Sequence, residues 1–282
     1  MELPPKAETA DFIGRFREVI SDPLNLLIER VPMAGVVEGD EVCLHNGVRV
    51  PLAGPGAYYG GFSDLLVLNR GVHEPLEEYV FQEVLRNMPD APRMIELGAY
   101  WAHYSMWLKK ERPGATVIMV EPDPDNLAAG EANFRRNGFE GEFIEAAVAR
   151  DHWRLDPFMQ SRAIDRLHIL HVDIQGFEVE LIEGGRDSLK RQAVDYLFVS
   201  THSQDIHRRV VEELSRFGYR VEVKSDFDNE STSYDGLVFA SSPRAAPVFR
   251  DFPHIGRTSI VASRAEDLVQ AVLDCRNSRL RT

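Results

Sequence analysis

The chain has 282 residues, 44% of them apolar and 27% charged, the balance of a globular protein. A chain of this size buries about 75% of its unfolded surface and needs no disulfide scaffold. Its 32 basic and 45 acidic residues give a net charge of −13, which argues against nucleic acid or an anionic membrane surface as a partner. Cys43 and Cys275 are too few and too far apart for a disulfide framework or a four-cysteine zinc site, and they read as free thiols. The opening MELPPKAETADF lacks a basic then apolar leader, and no window reaches the roughly 18 apolar residues of a membrane span. These features predict a cytoplasmic protein.

Residues 9–31 predict two short helices, the first carrying Phe12, Phe16, Val19 and Ile20 at helical spacing and the second opening near Pro23. Asn46-Gly47 between two alternating apolar runs predicts a β-hairpin over residues 41–50. Residues 53–75, rich in glycine and aromatics, predict a loop, and Tyr58-Tyr59-Gly60-Gly61-Phe62 within it is a candidate lid. A helix over 76–87 follows. Beyond Pro92 short apolar runs alternate with helical ones: strands at 93–97, 116–121, 142–148, 167–173 and 194–200, with helices at 102–111, 124–137, 158–166, 177–191 and 204–217. Strands that are apolar throughout suit a parallel sheet covered on both faces, so the alternation predicts a doubly wound, Rossmann-like α/β domain. Two further strands, 219–224 and 235–241, have no helix between them and predict an antiparallel closing pair, seven strands in all. The last forty residues predict a strand at TSIVAS (258–263) and a helix from Ala265. The chain divides into an N-terminal extension (1–75), a cofactor domain (76–241) and a C-terminal extension (242–282).

In such a sheet ligands bind beyond the carboxyl ends of the strands, so the residues that follow each strand are the candidates. Gly98 turns the chain after the first strand and Ala99 leaves room for a ligand. The further glycines of a dinucleotide fingerprint are missing, since Tyr100 and His103 stand there, which disfavours a pyrophosphate. Glu121 ends the second strand in Val-Glu-Pro, where a carboxylate can accept hydrogen bonds from a ribose diol. The combination points to a nucleoside ligand without a pyrophosphate. His168 and His171 lie within the fourth strand and read as core histidines.

The series ELGAYWAHYS, VIMVEPDPDNLAAGEANFRRN, EAAVA and HVDIQGFEVELIEGG resembles the class I S-adenosylmethionine-dependent methyltransferases, and within them the FkbM-type family, over about residues 70–240. The resemblance implies S-adenosylmethionine as cofactor. It places Gly98, Ala99, Tyr100 and Ser105 along the methionine part and Glu96 near its ammonium group. Glu121 would hold the ribose hydroxyls, Pro122 and Asn126 would shape that pocket, and Glu145 with Ala146 would border the adenine. Asp173 would face the methyl group and the acceptor. The sequence departs from the family pattern at Glu96, usually Asp, at Tyr100 and Ala102, usually Asn and Gly, and at Gln175, usually Glu.

Methyl transfer needs an acceptor held in line with the methyl–sulfur bond and a group to take its proton, for which Asp173 and His202 are the catalytic candidates. His202 could instead cap the helix that follows it. No metal is expected; a metal-assisted variant would use Asp173, His202 and Asp205. The expected function is O-methylation of a small-molecule hydroxyl, on a sugar or in natural product biosynthesis, without nucleic acid or membrane partners. The two extensions would serve acceptor choice and self-association into a homo-oligomer. Two other readings remain: an inactive cofactor-binding scaffold, motivated by Tyr100, Ala102 and Gln175, and a nicotinamide oxidoreductase, which the missing glycines disfavour.

Overall fold

A computed structural model describes residues 12–58, 63–150, 152–233 and 235–280. The chain opens with helix α1 (Phe12–Ser21) and a 3-10 turn (Pro23–Leu26), whose first turn is capped by Asp22 accepting from the Leu24 amide at 2.8 Å. Residues 9–11 of the predicted first helix lie outside the described residues. A three-stranded sheet follows: β1 (Val37–Glu38), β2 (Glu41–Cys43) and β3 (Arg49–Pro51), with β2 and β3 paired antiparallel around the Asn46-Gly47 turn. Gly47 adopts φ +83°, the left-handed conformation that this turn requires. The stretch predicted as loop contains a short helix, α2 (Asp64–Leu68), because Leu65 and Leu66 are fully buried and hold that turn against the core. Of the candidate lid, residues 59–62 lie outside the described residues, and Tyr58 is buried against Trp101.

Helix α3 (Pro75–Leu85) leads into the alternating region: β4 (Arg93–Leu97), α4 (His103–Glu111), β5 (Thr116–Glu121), α5 (Pro124–Arg136), β6 (Glu142–Glu145), α6 (Leu155–Ser161), β7 (Leu167–Val172), α7 (Glu178–Gly184), α8 (Arg186–Lys190), β8 (Val194–Thr201), α9 (Gln204–Arg216), β9 (Arg220–Ser225) and β10 (Gly236–Ser241). The seven-stranded sheet runs β6-β5-β4-β7-β8-β10-β9, parallel except for β10, which lies antiparallel to both of its neighbours. The predicted closing pair is therefore present, inserted so that β9 forms the edge. Strand order reverses between β4 and β7, which places a ligand crevice at their carboxyl ends.

Successive strand residues serve opposite faces of the sheet. Met94, Met119, Ile169, Phe198 and Phe239 join one core that also holds Val42, Val48 and Leu66 from the N-terminal segment and Phe249 and Cys275 from the C-terminal one. Ile95, Leu97, Val120, Leu170 and Val199 join a second core beneath α6 to α9. Both cysteines are free and buried.

Three local expectations change. TSIVAS is not a strand: residues 257–262 form helix α10 (Arg257–Ala262), followed by α11 (Ala265–Ser278) as predicted. Its β-branched residues favour a strand, but the segment is pinned at its start. Arg257 is buried on Glu18 at 3.1 Å, and a Cβ on Gly256 would meet the Glu230 backbone at 2.2 Å. The helix expected over 158–166 begins earlier and ends at Ser161, since Ala163 turns left-handed at φ +51°. The helix expected over 177–191 splits into α7 and α8 at Gly184-Gly185. Gly185 has φ −111°, so it is no left-handed cap; a side chain there would meet Leu155 Cδ2 at 2.8 Å, and the glycine serves that close approach.

Candidate active site

Gly98 follows β4 with φ +73°, and a Cβ at this position would lie 1.6 Å from the Asp173 carbonyl oxygen. The glycine is thus demanded by the crossing of two strand ends, where the Asp173 amide donates to the Leu97 carbonyl at 2.9 Å. Tyr100 (φ +44°) and Ala102 (φ +63°) complete the loop in left-handed conformations that L side chains rarely adopt. The resembled family usually carries Gly at the position of Ala102, and the backbone here shows why. Glu121, 5% exposed at the end of β5, holds the loop in place. Its Oε2 accepts from the Tyr100 amide at 3.0 Å, and its Oε1 accepts from the Asp123 amide at 3.1 Å and from Asn126 Nδ2 at 3.4 Å. Tyr100 donates its hydroxyl to the Ala57 carbonyl at 2.9 Å, tying the N-terminal segment to the loop.

A cleft of about 690 Å³ opens at the strand ends, within the roughly 300–1,000 Å³ usual for small-molecule sites. Of the residues read from the sequence, Gly98, Tyr100, Glu121, Pro122, Asn126, Ala146 and Asp173 line it. Glu96, Ala99, Ser105, Glu145 and His202 do not. Glu96 is buried behind the loop, where it accepts from the Ser105 amide at 3.0 Å. Burial pushes its carboxyl up, against the pull of His171 and Ser105. Ala99 is buried in the loop, and Glu145 is exposed at the end of β6. The cleft also includes Val148, His152, Ile174 and Phe177, which sequence reading did not single out; Phe177 stands 48% exposed, a large apolar side chain open to solvent. Apolar walls at Val120, Ala146 and Ile174 beside the Glu121 carboxylate fit the two halves of a nucleoside. The sequence signal for this part of the wall was only the small-residue run after β6.

His202, after β8, gathers three carboxylates. Its Nδ1 lies 2.8 Å from Glu178 Oε1, and its Nε2 lies 3.1 Å from Asp173 Oδ1 and 3.3 Å from Asp235 Oδ1. Burial alone would lower this imidazole; contact with Asp173 and Glu178, with the charges of Asp235 and Asp173, outweighs it and pushes it up to about 11. This shift favours the imidazolium at neutral pH: Nδ1 hydrogen-bonds Glu178, while Nε2 stands between Asp173 and Asp235 as a charge contact without an aligned hydrogen bond. Burial would raise Asp173, but contact with His202 and Gln175 and the charges of His202 and His171 bring it below the usual carboxylate range. Asp173 Oδ1 accepts from Gln175 Nε2 at 3.0 Å and lies 3.1 Å from His202 Nε2, and Oδ2 has no partner among the described residues.

His202 does not cap the following helix; Ser203 does, accepting from the Ile206 amide at 3.2 Å. Asp205 is exposed and paired with Arg208, and the third carboxylate beside Asp173 and His202 is Asp235. Glu178 and Asp235 were not read as site residues from the sequence. His168 accepts from the Arg93 amide at 3.0 Å, and His171 is buried with Nε2 2.6 Å from Glu77 Oε1, both within the sheet as expected.

Residues 131–221 match the model of the methyltransferase FkbM domain. That segment is therefore similar to the FkbM methyltransferase domain that the motifs resemble, a family whose methyl donor is S-adenosylmethionine. No curated protein sequence matches this one. Similar folds include TrmK of M. capricolum in complex with S-adenosylhomocysteine (12% identity over 62% of this chain and 72% of that one, TM-score 0.44). Others are the precorrin-6y C5,15-methyltransferase of Geobacter metallireducens (18%, 58% and 87%, 0.41) and an S-adenosylmethionine-dependent methyltransferase of Aquifex aeolicus (15%, 57% and 88%, 0.39). At these TM-scores none of the three bears on the chemistry of this chain. Among the described residues no helix is long and apolar enough to cross a membrane.

Proposed function

We propose that the protein transfers a methyl group from S-adenosylmethionine to a hydroxyl of a small, neutral molecule. The observation that carries this reading is Asp173: it lines the cleft beside Glu121, with Oδ1 on Gln175 and next to His202 and with no partner on Oδ2 among the described residues.

S-adenosylmethionine, when bound, supplies an electrophilic methyl group on a sulfonium. Glu121 and Asn126 bind the ribose side, and the walls from Val120 to Ile174 take the base. Asp173 Oδ2 accepts the hydrogen bond of the acceptor hydroxyl and takes its proton as the new carbon–oxygen bond forms, so the hydroxyl arrives as a nucleophile in a fixed direction. His202, fixed by Glu178, orients Asp173 and keeps it ionised beforehand. Gln175 contributes an amide donor where a second carboxylate would repel Asp173, which is how this departure from the family pattern is compatible with catalysis. The net charge of −13 supports a neutral acceptor over nucleic acid.

The test has two parts. Calorimetry should show binding of S-adenosylmethionine and S-adenosylhomocysteine; tight binding of a nicotinamide dinucleotide with neither of these would sink the reading. Incubation with a panel of hydroxylated small molecules, read by mass spectrometry, should then yield one methylated product. An inactive scaffold is the second reading, favoured by the strained Ala102; cofactor binding with no methylation of any panel member would support it.

A further inference from the structure

Behind the cofactor loop, four titratable side chains far apart in sequence meet in the core. His45 comes from the β2–β3 turn, His73 from the residues before α3, Glu78 from the first turns of α3, and His103 from the start of α4; none is more than 2% exposed. Glu78 Oε1 accepts from the His73 amide at 2.8 Å and the Glu74 amide at 3.1 Å, and it lies 2.6 Å from His73 Nδ1. Glu78 Oε2 faces His45 Nε2 at 2.9 Å. His45 Nδ1 faces the Glu29 carbonyl oxygen at 3.4 Å, an atom that can only accept, so Nδ1 carries the ring hydrogen. His45 Nε2 and Glu78 Oε2 are both buried, and although they lie this close neither has a hydrogen-bond partner among the described residues.

His103 adds a second demand. Neither of its ring nitrogens has a hydrogen-bond partner among the described residues, although the side chain is buried. One ligand atom each from His45, Glu78 and His103 fall within 4.8 Å of one another.

We propose that His45, Glu78 and His103 bind a single zinc-type divalent cation that clamps the N-terminal hairpin to α3 and α4. Two imidazoles and one carboxylate are a zinc donor set, whereas calcium and magnesium require oxygen ligands throughout. The surroundings match those of metal-bound histidines. His45 turns its other nitrogen to a backbone carbonyl, and His73 is a positioning residue that holds the far oxygen of Glu78. Trp101 stacks on His103 at 5.3 Å, and Trp107 meets His45 edge-on at 4.4 Å, so the site is shielded by aromatic rings. None of the three ligands lines the methyl-transfer cleft, which makes the role structural: the cation fixes the start of α4, immediately after the strained loop of Tyr100 and Ala102.

The full chain, purified without a metal-affinity tag from zinc-supplemented cells, should carry about one zinc per chain by plasma mass spectrometry. Protein stripped of metal under denaturing conditions and refolded should gain about 5–10 °C in Tm on adding zinc. Cobalt in its place, with a water completing the tetrahedron beside His45, Glu78 and His103, should give visible d–d absorption and quench the fluorescence of Trp101 and Trp107. His103→Leu should abolish the bound zinc, whereas Asp235→Asn should retain it. If His103→Leu does not fold, the wild-type cobalt titration decides. Protein that neither retains zinc nor responds to it in Tm or cobalt absorption overturns the site, leaving a buried imidazolium–carboxylate pair. Zinc that survives His103→Leu but is lost in Asp235→Asn overturns it as well, since the metal would then sit beside Asp173.

Discussion

Two carboxylates of the cleft do different work, and the difference follows from what each already holds. Glu121 spends three hydrogen-bond positions on its own loop, through the amides of Tyr100 and Asp123 and the side chain of Asn126. On the proposed reading, replacing it by alanine removes the acceptor of the ribose diol and frees the Tyr100 amide. Calorimetry of Glu121→Ala should accordingly show S-adenosylmethionine binding weakened by about 1–3 kcal/mol; an unchanged affinity would mean that the nucleoside sits elsewhere. Asp173 accepts from Gln175 on Oδ1 alone, with His202 beside that oxygen. Asparagine can keep that oxygen while losing the capacity to take a proton. In Asp173→Asn, kcat should fall by about 10²- to 10⁴-fold with the affinity for S-adenosylmethionine nearly unchanged. Equal losses in both would assign Asp173 to cofactor binding.

At the scale of elements, the first structured turn carries a pH-sensitive cap. Asp22 accepts from the Leu24 amide at 2.8 Å and from the Thr232 hydroxyl, yet it is only 2% exposed. Burial outweighs these bonds and pushes its carboxyl up to about 6 from 3.8. A folded-state value above the unfolded one means that its favourable contribution is fully present below pH 3.8 and is lost as pH rises through about 6. Asparagine keeps the Leu24 contact through Oδ1 and can donate from Nδ2 to the Thr232 hydroxyl, without the buried charge. Thermal unfolding of Asp22→Asn should therefore show a gain of about 1–3 kcal/mol at pH 7 to 8, shrinking to nothing near pH 4; a pH-independent difference would contradict the buried charge.

The elements differ in how far the sequence revealed them. β4, β5, β7 and β8 were legible because each is an apolar run buried on both faces, and the β2–β3 hairpin because Asn46-Gly47 leaves few alternatives. α10 was not, since Ile260 and Val261 favour a strand and only the contacts of Gly256 and Arg257 overrule them. In the site, Glu121 and Asp173 were legible from their places at strand ends. Glu178 and Asp235 were not, because they reach His202 through the fold rather than through sequence. The same holds for His45, Glu78 and His103, which no local pattern connects.

Taken whole, the molecule sets its seven-stranded sheet between two cores that are not equally its own. The core beneath α6 to α9 is built from residues 95–240. The opposite core draws Val42, Leu44, Val48, Val50, Leu65, Leu66 and Val72 from the N-terminal segment and Val248, Phe249 and Cys275 from the C-terminal one. At about 1.5–3 kcal/mol for each large apolar side chain buried, the seven N-terminal residues alone contribute roughly 10–20 kcal/mol, comparable with the whole stability of about 5–15 kcal/mol of a folded protein. The extensions are therefore a substantial part of the apolar cover on one face of the sheet, whatever they add to acceptor choice. A chain cut to residues 76–241 would expose Met94, Met119, Phe198 and Phe239. It should lose its cooperative thermal transition and bind a hydrophobic dye at room temperature, even though every sequence motif of the cofactor site is retained. A sharp unfolding transition in the cut chain, with S-adenosylmethionine still bound, would show instead that the face of the sheet can be covered by α3 and α4 alone.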